Sequence, residues 1–96
     1  MIVFGYAKKY EYNRDGALMV QVRIPSIHGP YKQSNQKGKY AKNYVLDADL
    51  PYYHSLLLPH NPADGEVVVL QSLQENNYEW IVIGMTGGSY HNGSEI

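Results

Sequence analysis

The sequence predicts an all-β protein, a small five-stranded barrel with one long basic loop. Three observations lead to this prediction. The apolar residues fall into short runs that alternate or are β-branched, and clusters of Gly, Pro, Asn and Asp separate these runs. No apolar period of 3.6 residues persists for three turns, so no long helix is expected. The chain has 96 residues, which suits a single domain.

The first half contains two predicted strands joined by a turn. Residues 2–10 form the first strand, and residues 13–16, Asn-Arg-Asp-Gly, have the composition of a hairpin turn. Residues 17–24 alternate strictly, which is typical of a strand with one buried face. Pro25 ends this strand because proline lacks the N–H that a sheet ladder needs.

Three further strands are predicted in the second half. Residues 54–58 form a short strand closed by Pro59, residues 66–72 a β-branched run after a turn at 61–65, and residues 78–84 an alternating strand. Five short strands without a helix favour an antiparallel barrel or sandwich. Within a chain of this length, a five-stranded Greek-key barrel of the OB type is the leading candidate.

The domain organisation follows from these strands. Residues 1–88 are assigned to the barrel domain. Residues 86–96 are rich in Gly, Ser and Asn and are expected to fray, and residues 89–96 are assigned to a flexible tail. The predicted core comprises the inward positions of the alternating or wholly apolar strands: Val20, Val22, Val67, Val69, Trp80 and Val82.

Residues 29–46 form a predicted long loop that is basic. The segment contains four lysines and no acid, and loops beyond about 12–15 residues are commonly functional or disordered. We expect residues 29–42 to be exposed and poorly ordered. The lysines are expected to act together as a binding strip for an acidic partner or for the acidic half of a neighbouring copy: Lys32, Lys37, Lys39 and Lys42.

The charges are segregated along the chain. Residues 1–46 carry eight basic and two acidic side chains, a net charge of +6, whereas residues 47–96 carry seven acids and no Lys or Arg, a net charge of −7. Such segregation indicates either an acidic partner or an assembly whose surfaces complement each other. The net charge of the whole chain is −1, so the overall charge does not by itself indicate nucleic-acid binding.

No catalytic, cofactor-binding or metal-binding residue is predicted. The absence of Cys excludes disulfides and thiolate metal sites. A site combining His54 and His60 with Asp47 or Asp49 is conceivable, but no histidine belongs to a metal-ligand motif, and structural or solvated roles are favoured. No apolar run approaches the roughly 20 residues that span a bilayer, so membrane insertion by this chain is not expected. We expect a non-enzymatic protein without a cofactor.

A single-stranded nucleic-acid-binding OB-fold protein is the main alternative. Tyr6, Tyr10 and Tyr12 are expected on one side of an extended first strand, close to three basic residues, Lys8, Lys9 and Arg23. Bases stack on aromatic rings in such barrels. Three tyrosines are interleaved with the lysines of the basic loop: Tyr31, Tyr40 and Tyr44. The second half contributes only acids to the barrel surface, so nucleic-acid binding is the less favoured interpretation.

Several segments, taken in order, resemble the OB-fold domain at the base of the central spike of contractile phage tails. The same module occurs in the VgrG spike of type VI secretion. The similar segments are Val-Gln-Val-Arg-Ile-Pro at 20–25 followed by Ile-His-Gly at 27–29, Leu-Pro-Tyr-Tyr-His-Ser-Leu-Leu-Leu-Pro at 50–59, Ala-Asp-Gly-Glu-Val-Val-Val at 63–69, and Tyr-Glu-Trp-Ile-Val-Ile-Gly at 78–84. Their order and spacing carry the likeness, which covers residues 1–88.

The resemblance implies a homotrimeric, non-enzymatic adaptor that sits on the baseplate hub and seats the central spike. It implies a place in the virion, in the tail baseplate, after synthesis in the host cytoplasm. The loop at 29–46 is longer and more basic than in the family. The chain stops where the family continues into a lysozyme module or a triple-stranded β-helix, so puncturing and peptidoglycan cleavage are not carried over.

The residues allow two kinds of contact between copies. One uses the segregated charges and would loosen as salt rises. The other is built on Tyr52, Tyr53 and Leu57 and would respond little to salt. These three residues and the four loop lysines form the predicted interface.

Overall fold

Five antiparallel strands form one sheet in the computed structural model, which describes residues 1–31, 44–72 and 79–89. The strand order is β3-β2-β1-β4-β5. The all-β class and the five antiparallel strands are confirmed, while closure into a barrel stays a prediction. The strands are β1 (Ile2–Tyr12), β2 (Leu18–Arg23), β3 (Tyr52–His54), β4 (Glu66–Ser72) and β5 (Trp80–Ser89). The helical elements of the described residues are one short helix, α1 (Pro25–His28), and a 3-10 turn (Asp47–Asp49).

The predicted hairpin turn between β1 and β2 is confirmed. The side-chain oxygen of Asn13 accepts hydrogen bonds from the backbone N–H groups of Asp15 and Ala17, both at 2.9 Å. Gly16 has a φ of 81°, a conformation that glycine adopts without steric cost. This turn sets the register in which Tyr10 pairs with Val20.

A register shift at Lys8 divides β1 into two parts. Ala7 pairs with Val22 and Lys9 with Gln21, so Lys8 is the extra residue of a bulge. Tyr6 lies opposite Arg23, whereas Tyr10 lies opposite Val20. Val20 and Arg23 are three positions apart on β2 and face opposite sides of the sheet.

The bulge separates the tyrosines of β1. Tyr6 is buried at 1% exposure, but Tyr10 and Tyr12 are 44% and 56% exposed. The prediction that the three rings share one side is therefore wrong. A bulge adds one residue to a strand, so the side chains after it point to the opposite face from the one that simple alternation predicts. The position of a bulge depends on the register with the partner strand, which the local sequence pattern does not show.

β3 begins two residues earlier than predicted and ends at His54. Its partner β2 begins at Leu18, and the last paired residues are Met19 and His54, so the pairing runs out there. Beyond His54 the chain turns to β5. Ser55 forms an isolated parallel bridge with Val82, and the Leu56 N–H donates a 2.8 Å hydrogen bond to the Val82 carbonyl.

β4 has the predicted bounds, but β5 is longer than predicted. β5 continues to Ser89 because Ser89 pairs with Glu66. Residues 86–89 are thus part of the sheet, contrary to the expected fraying, and the tail from residue 90 lies outside the described residues.

The main hydrophobic core lies on one face of the sheet and combines residues from four strands with Ile24: Ala7, Val20, Val22, Ile24, Val68, Leu70, Trp80 and Val82. Four of the six predicted core residues belong to it. Val67 is buried in a second cluster with Tyr6 and Tyr31, and Val69 is only half-buried. The expected inward placement of these two valines is therefore wrong. In a wholly apolar strand the sequence does not show which alternate residues face the core, and here they are Val68 and Leu70.

Candidate functional site

Arg23, the last residue of β2, is fully buried and anchors a charged cluster on the outer face of the sheet. Its guanidinium donates hydrogen bonds to the His28 carbonyl at 2.7 Å, to the Val45 carbonyl, and to the Asp47 carboxylate at 2.8 Å. The Tyr44 ring lies 4.4 Å from the guanidinium carbon. Arg23 thereby holds the segment after β2 and the segment before β3 against the sheet.

Lys8 extends the cluster to a second acidic residue. Its position in the bulge directs the ammonium group between two carboxylates, 3.3 Å from Asp47 and 3.1 Å from Asp64. The same ammonium lies 4.3 Å from the centre of the Tyr31 ring, and the Tyr31 hydroxyl donates a hydrogen bond to Asp64. Tyr31 in turn packs on Tyr6, with ring centres 5.2 Å apart.

The pKa values of the cluster reflect these contacts. Partial burial by itself would lower the pKa of Lys8, but the hydrogen bonds with Asp64 and Tyr31 and the nearby carboxylates outweigh it and raise the pKa. Burial would raise the pKa of Asp47, but Arg23 and Lys8 outweigh it and lower the pKa. Burial and the Asp64 carboxylate raise the pKa of Tyr31. Lys8 and Asp47 are therefore both charged at neutral pH and form an ion pair.

A cleft of about 490 Å³ opens beside this cluster. Its lining residues are Lys8, Lys9, Gln21, Asp47, Ala48, Tyr52 and Asp64. The Gln21 amide in its wall donates hydrogen bonds to the carbonyls of Asp47 and Leu50, at 2.9 and 3.1 Å. Two lysines face two aspartates, so the cleft has no excess of either charge. Through these contacts Lys8, Gln21 and Asp47 hold neighbouring segments in place.

Two residues of the conceivable metal site, Asp47 and His60, are engaged with other partners. Asp47 is bound to Arg23 and Lys8, while His60 lies 2.8 Å from Glu66. Within residues 1–31, 44–72 and 79–89, no group of three His, Asp or Glu residues is arranged to hold a metal ion.

His28 is buried, and its Nδ1 accepts a 2.9 Å hydrogen bond from the Ile24 N–H. Burial and the Arg23 charge lower the pKa of His28 to about 4.

The described residues of the predicted interface do not share one surface. Tyr52 lines the cleft opposite Gln21, whereas its neighbour Tyr53 packs against the main core opposite Val20. Burial raises the pKa of Tyr53 to about 12. Leu57 is fully exposed. The four lysines of the predicted strip, Lys32, Lys37, Lys39 and Lys42, lie outside the described residues.

The Leu57 end of the molecule is an apolar surface that sequence analysis recognised only in part. We define it as Tyr12, Leu56 and Leu57, which are 56%, 50% and 100% exposed. These side chains line a hollow of about 300 Å³ together with Leu18 and Leu58. Leu56 was missed because residues 54–58 were expected to form a strand, whereas β3 ends at His54.

A second apolar surface, the Phe4 face, was missed entirely. We define it as Ile2, Phe4, Val69 and Ile81. Phe4 pairs with Val69 of β4. Ile2 pairs with Gln71, and Gln71 pairs with Ile81 of β5. The four residues therefore lie in neighbouring rows on the outer face of the sheet. Ile2 and Phe4 are 58% and 49% exposed. The signal in the sequence was the presence of apolar residues at both odd and even positions of residues 2–4.

Comparison of the chain with protein-family models, with curated proteins and with solved structures gave no match. Neither helical element among the described residues is long and apolar enough to cross a membrane.

Proposed function

We propose that this chain is a non-enzymatic structural component of a phage tail baseplate or a related contractile injection machine, an OB-fold adaptor that joins the hub and the central spike. The observation that carries the proposal is the parallel contact between Val82 of β5 and Ser55, the residue that follows β3.

The link between β3 and β5 supports closure of the sheet into a barrel. These strands are the two ends of the order β3-β2-β1-β4-β5. A sheet whose end strands meet has the topology of a barrel. The contact consists of one bridge pair and one 2.8 Å backbone hydrogen bond, from Leu56 to Val82. Five strands with such partial closure match the partly open Greek-key barrel of the OB type.

The segments that resemble the phage spike domain fall on successive elements of this fold. Residues 20–25 cover the end of β2 and the entry to α1, and residues 50–59 contain β3 and the contact with β5. Residues 63–69 form the turn into β4, in which the N–H of Gly65 donates to the Ala7 carbonyl at 2.7 Å. Residues 80–84 begin β5. The likeness therefore follows the order of the strands.

The charges favour a structural role over catalysis. Lys8 contacts Asp47 at 3.3 Å and Asp64 at 3.1 Å, and Arg23 contacts Asp47 at 2.8 Å, so these charged groups are engaged with each other. Arg23 also binds two backbone carbonyls, so its function is to position loops. A catalytic acid or base needs a proton that it can exchange with a substrate. In this cluster the charged groups stabilise the fold instead.

The exposed apolar surfaces support assembly into a homotrimer seated between hub and spike. A small monomer has a limited core, and an adaptor between symmetric partners must match their symmetry. Leu57 is fully exposed and Phe4 is half-exposed, so both remain available for contacts within an assembly.

Single-stranded nucleic-acid binding is the alternative function, and the experiment must distinguish it from the adaptor. Tyr10 and Tyr12 are exposed, with ring centres 6.3 Å apart, and resemble stacking platforms. Lys8, one of the cations predicted near these tyrosines, is already paired with Asp47 and Asp64. The described surface therefore favours the adaptor.

Sedimentation velocity of the purified chain, combined with fluorescence anisotropy of a labelled single-stranded oligonucleotide, tests the proposal. A trimer that leaves the anisotropy unchanged at low salt supports the adaptor. A monomer that raises the anisotropy at micromolar concentration would replace the adaptor with the nucleic-acid-binding protein.

A further inference from the structure

The Phe4 face is an uncovered part of an otherwise covered sheet surface. On the same outer face, Tyr6 pairs with Val67, and Tyr31 packs over both, which leaves Tyr6 only 1% exposed. Two residues earlier on β1, Phe4 is 49% exposed. A Cβ added to Gly84, the partner of Val69, would meet no atom within 4 Å. This end of the sheet is therefore open and apolar.

A shallow hollow beside Phe4 is wide open to solvent, so a side chain of another molecule can reach it. It measures about 290 Å³ and is lined by Val3, Phe4, Pro25 and Ser26. β2 ends at Arg23, opposite Tyr6, so none of the described strands pairs with this edge of β1 at residues 2–5. None of the residues lining the hollow is charged, so an apolar side chain can enter it without desolvating a charge.

The Leu57 end is an apolar projection, whereas the Phe4 face contains an apolar hollow. Contacts with β5 hold the residues before Leu57 in place. The Leu56 N–H is fixed to the Val82 carbonyl at 2.8 Å, and Ser55 bridges to the same residue. Leu57 follows directly and is fully exposed. A projection that is already ordered loses little conformational entropy on binding.

The projection and the hollow cannot meet within one copy. Leu57 lines its hollow together with Tyr12, at one end of β1, whereas Phe4 lies eight residues away along the same strand. At about 3.3 Å per residue, the two sites are roughly 26 Å apart. A second copy supplies the missing partner for each surface.

We propose that copies of this chain associate head to tail, with Leu56 and Leu57 of one copy seated in the hollow beside Phe4 of the next. Such a contact joins two different surfaces and closes into a ring when the rotation between copies allows it. Closure at three copies rests on the proposed function, whereas the contact itself does not. The occupant of the Phe4 face is thus a second copy of the chain.

Two charged variants and their mixture test the contact. In Phe4→Lys the face is lost and the projection is intact, whereas in Leu57→Lys the projection is lost and the face is intact. Each variant alone is expected to bind itself at least 30-fold more weakly than the wild type, from the loss of one buried apolar side chain. Their equimolar mixture is expected to form a dimer and nothing larger, because only one intact pair of surfaces remains.

Leu46→Lys is the matched control, because Leu46 is 49% exposed, like Phe4, and belongs to neither surface. It is expected to associate as the wild type does. Far-ultraviolet circular dichroism and thermal melting verify folding, and Phe4→Ser replaces Phe4→Lys if the latter fails to fold.

The outcomes separate this contact from the proposed function. A trimeric wild type whose two variants also remain trimeric would overturn the contact and leave the adaptor standing. Self-association of Leu57→Lys alone would show a face-to-face contact and would overturn the head-to-tail arrangement. A mixture that forms the dimer, from a wild type that forms open chains instead of trimers, would support the contact and contradict the trimeric adaptor.

Discussion

The buried guanidinium of Arg23 lies 2.8 Å from the half-exposed carboxylate of Asp47, and this contact joins the end of β2 to the turn before β3. Arg23 belongs to the basic half of the sequence and Asp47 to the acidic half. Lys8 makes the same kind of link to Asp64. Part of the charge segregation along the chain is therefore neutralised within one copy, and it is not all available for contacts between copies.

Removal of the Asp47 carboxylate should destabilise the fold. Asp47→Ala leaves Arg23 with carbonyl partners only, and we expect the free energy of unfolding to fall by about 2 kcal/mol in urea titrations at pH 7. The lowered pKa of Asp47 means that this contribution is present above the ordinary pKa of 3.8 and is lost as the pH falls through the folded-state value.

Asp49→Ala is the control for Asp47→Ala. Asp49 lies in the same 3-10 turn and is exposed, so its substitution should change the free energy of unfolding by less than about 0.5 kcal/mol. Equal losses in the two variants would show that Arg23 does not depend on the carboxylate of Asp47.

His28 should make the fold sensitive to mild acid. Its pKa is about 4 in the folded chain and 6.5 in the unfolded chain, so between these values the unfolded state binds a proton that the folded state does not. The free energy of unfolding should therefore fall as the pH drops from 6.5 to 4, by up to about 3 kcal/mol.

His28→Asn isolates this effect. The side-chain oxygen of Asn can accept the hydrogen bond from the Ile24 N–H that Nδ1 of His28 accepts, but the amide does not titrate. Urea titrations at several pH values should show a smaller fall for this variant than for the wild type. An identical fall in both proteins would assign the pH dependence to other groups.

Gly5 should tolerate no side chain. A Cβ at this position would lie 2.5 Å from Cγ1 of Val22, in the main core, and 3.0 Å from the Arg23 carbonyl oxygen. Gly5→Ala should therefore lower the free energy of unfolding by about 1–3 kcal/mol through overpacking. Gly84→Ala, on the open outer face, should be neutral or stabilising by a few tenths of a kcal/mol, and thermal melting compares the two. A similar loss in both variants would contradict the packing described around Gly5.

A strand was predicted correctly where its local apolar pattern agrees with its position in the sheet. β2 alternates and β4 is a continuous β-branched run between turn residues, so both were located from the sequence. The bulge at Lys8 was not predicted, because a bulge is defined by register with a partner strand. The bounds of β3 were not predicted either, because they depend on where its partner β2 begins.

The site was less predictable than the fold, because it depends on contacts between distant residues. Arg23 occupies the polar face of an alternating strand, which indicates exposure, yet segments 20 or more residues away fold over it. Tyr52 and Tyr53 were grouped as neighbours in sequence, but strand alternation sends them to opposite faces. Leu57 stays a predicted interface residue, and the structure leaves it fully exposed.

Salt should have little effect on the association of this chain. The proposed contact between the Leu57 end and the Phe4 face is apolar, and Lys8 and Arg23 are paired internally. Raising NaCl from 0.1 to 1 M shortens the Debye length from about 10 to 3 Å and would weaken contacts built on exposed charges. Sedimentation velocity should give the same distribution at both salt concentrations, and dissociation at 1 M would point to the charged surfaces instead.

The mass of the wild-type assembly in solution tests the adaptor most directly. Sedimentation equilibrium over a concentration series from micromolar to millimolar measures this mass independently of shape. We predict a species of three chains, each of 10.9 kDa, that predominates at the higher concentrations. A single chain at every concentration up to the millimolar range would contradict the trimeric adaptor.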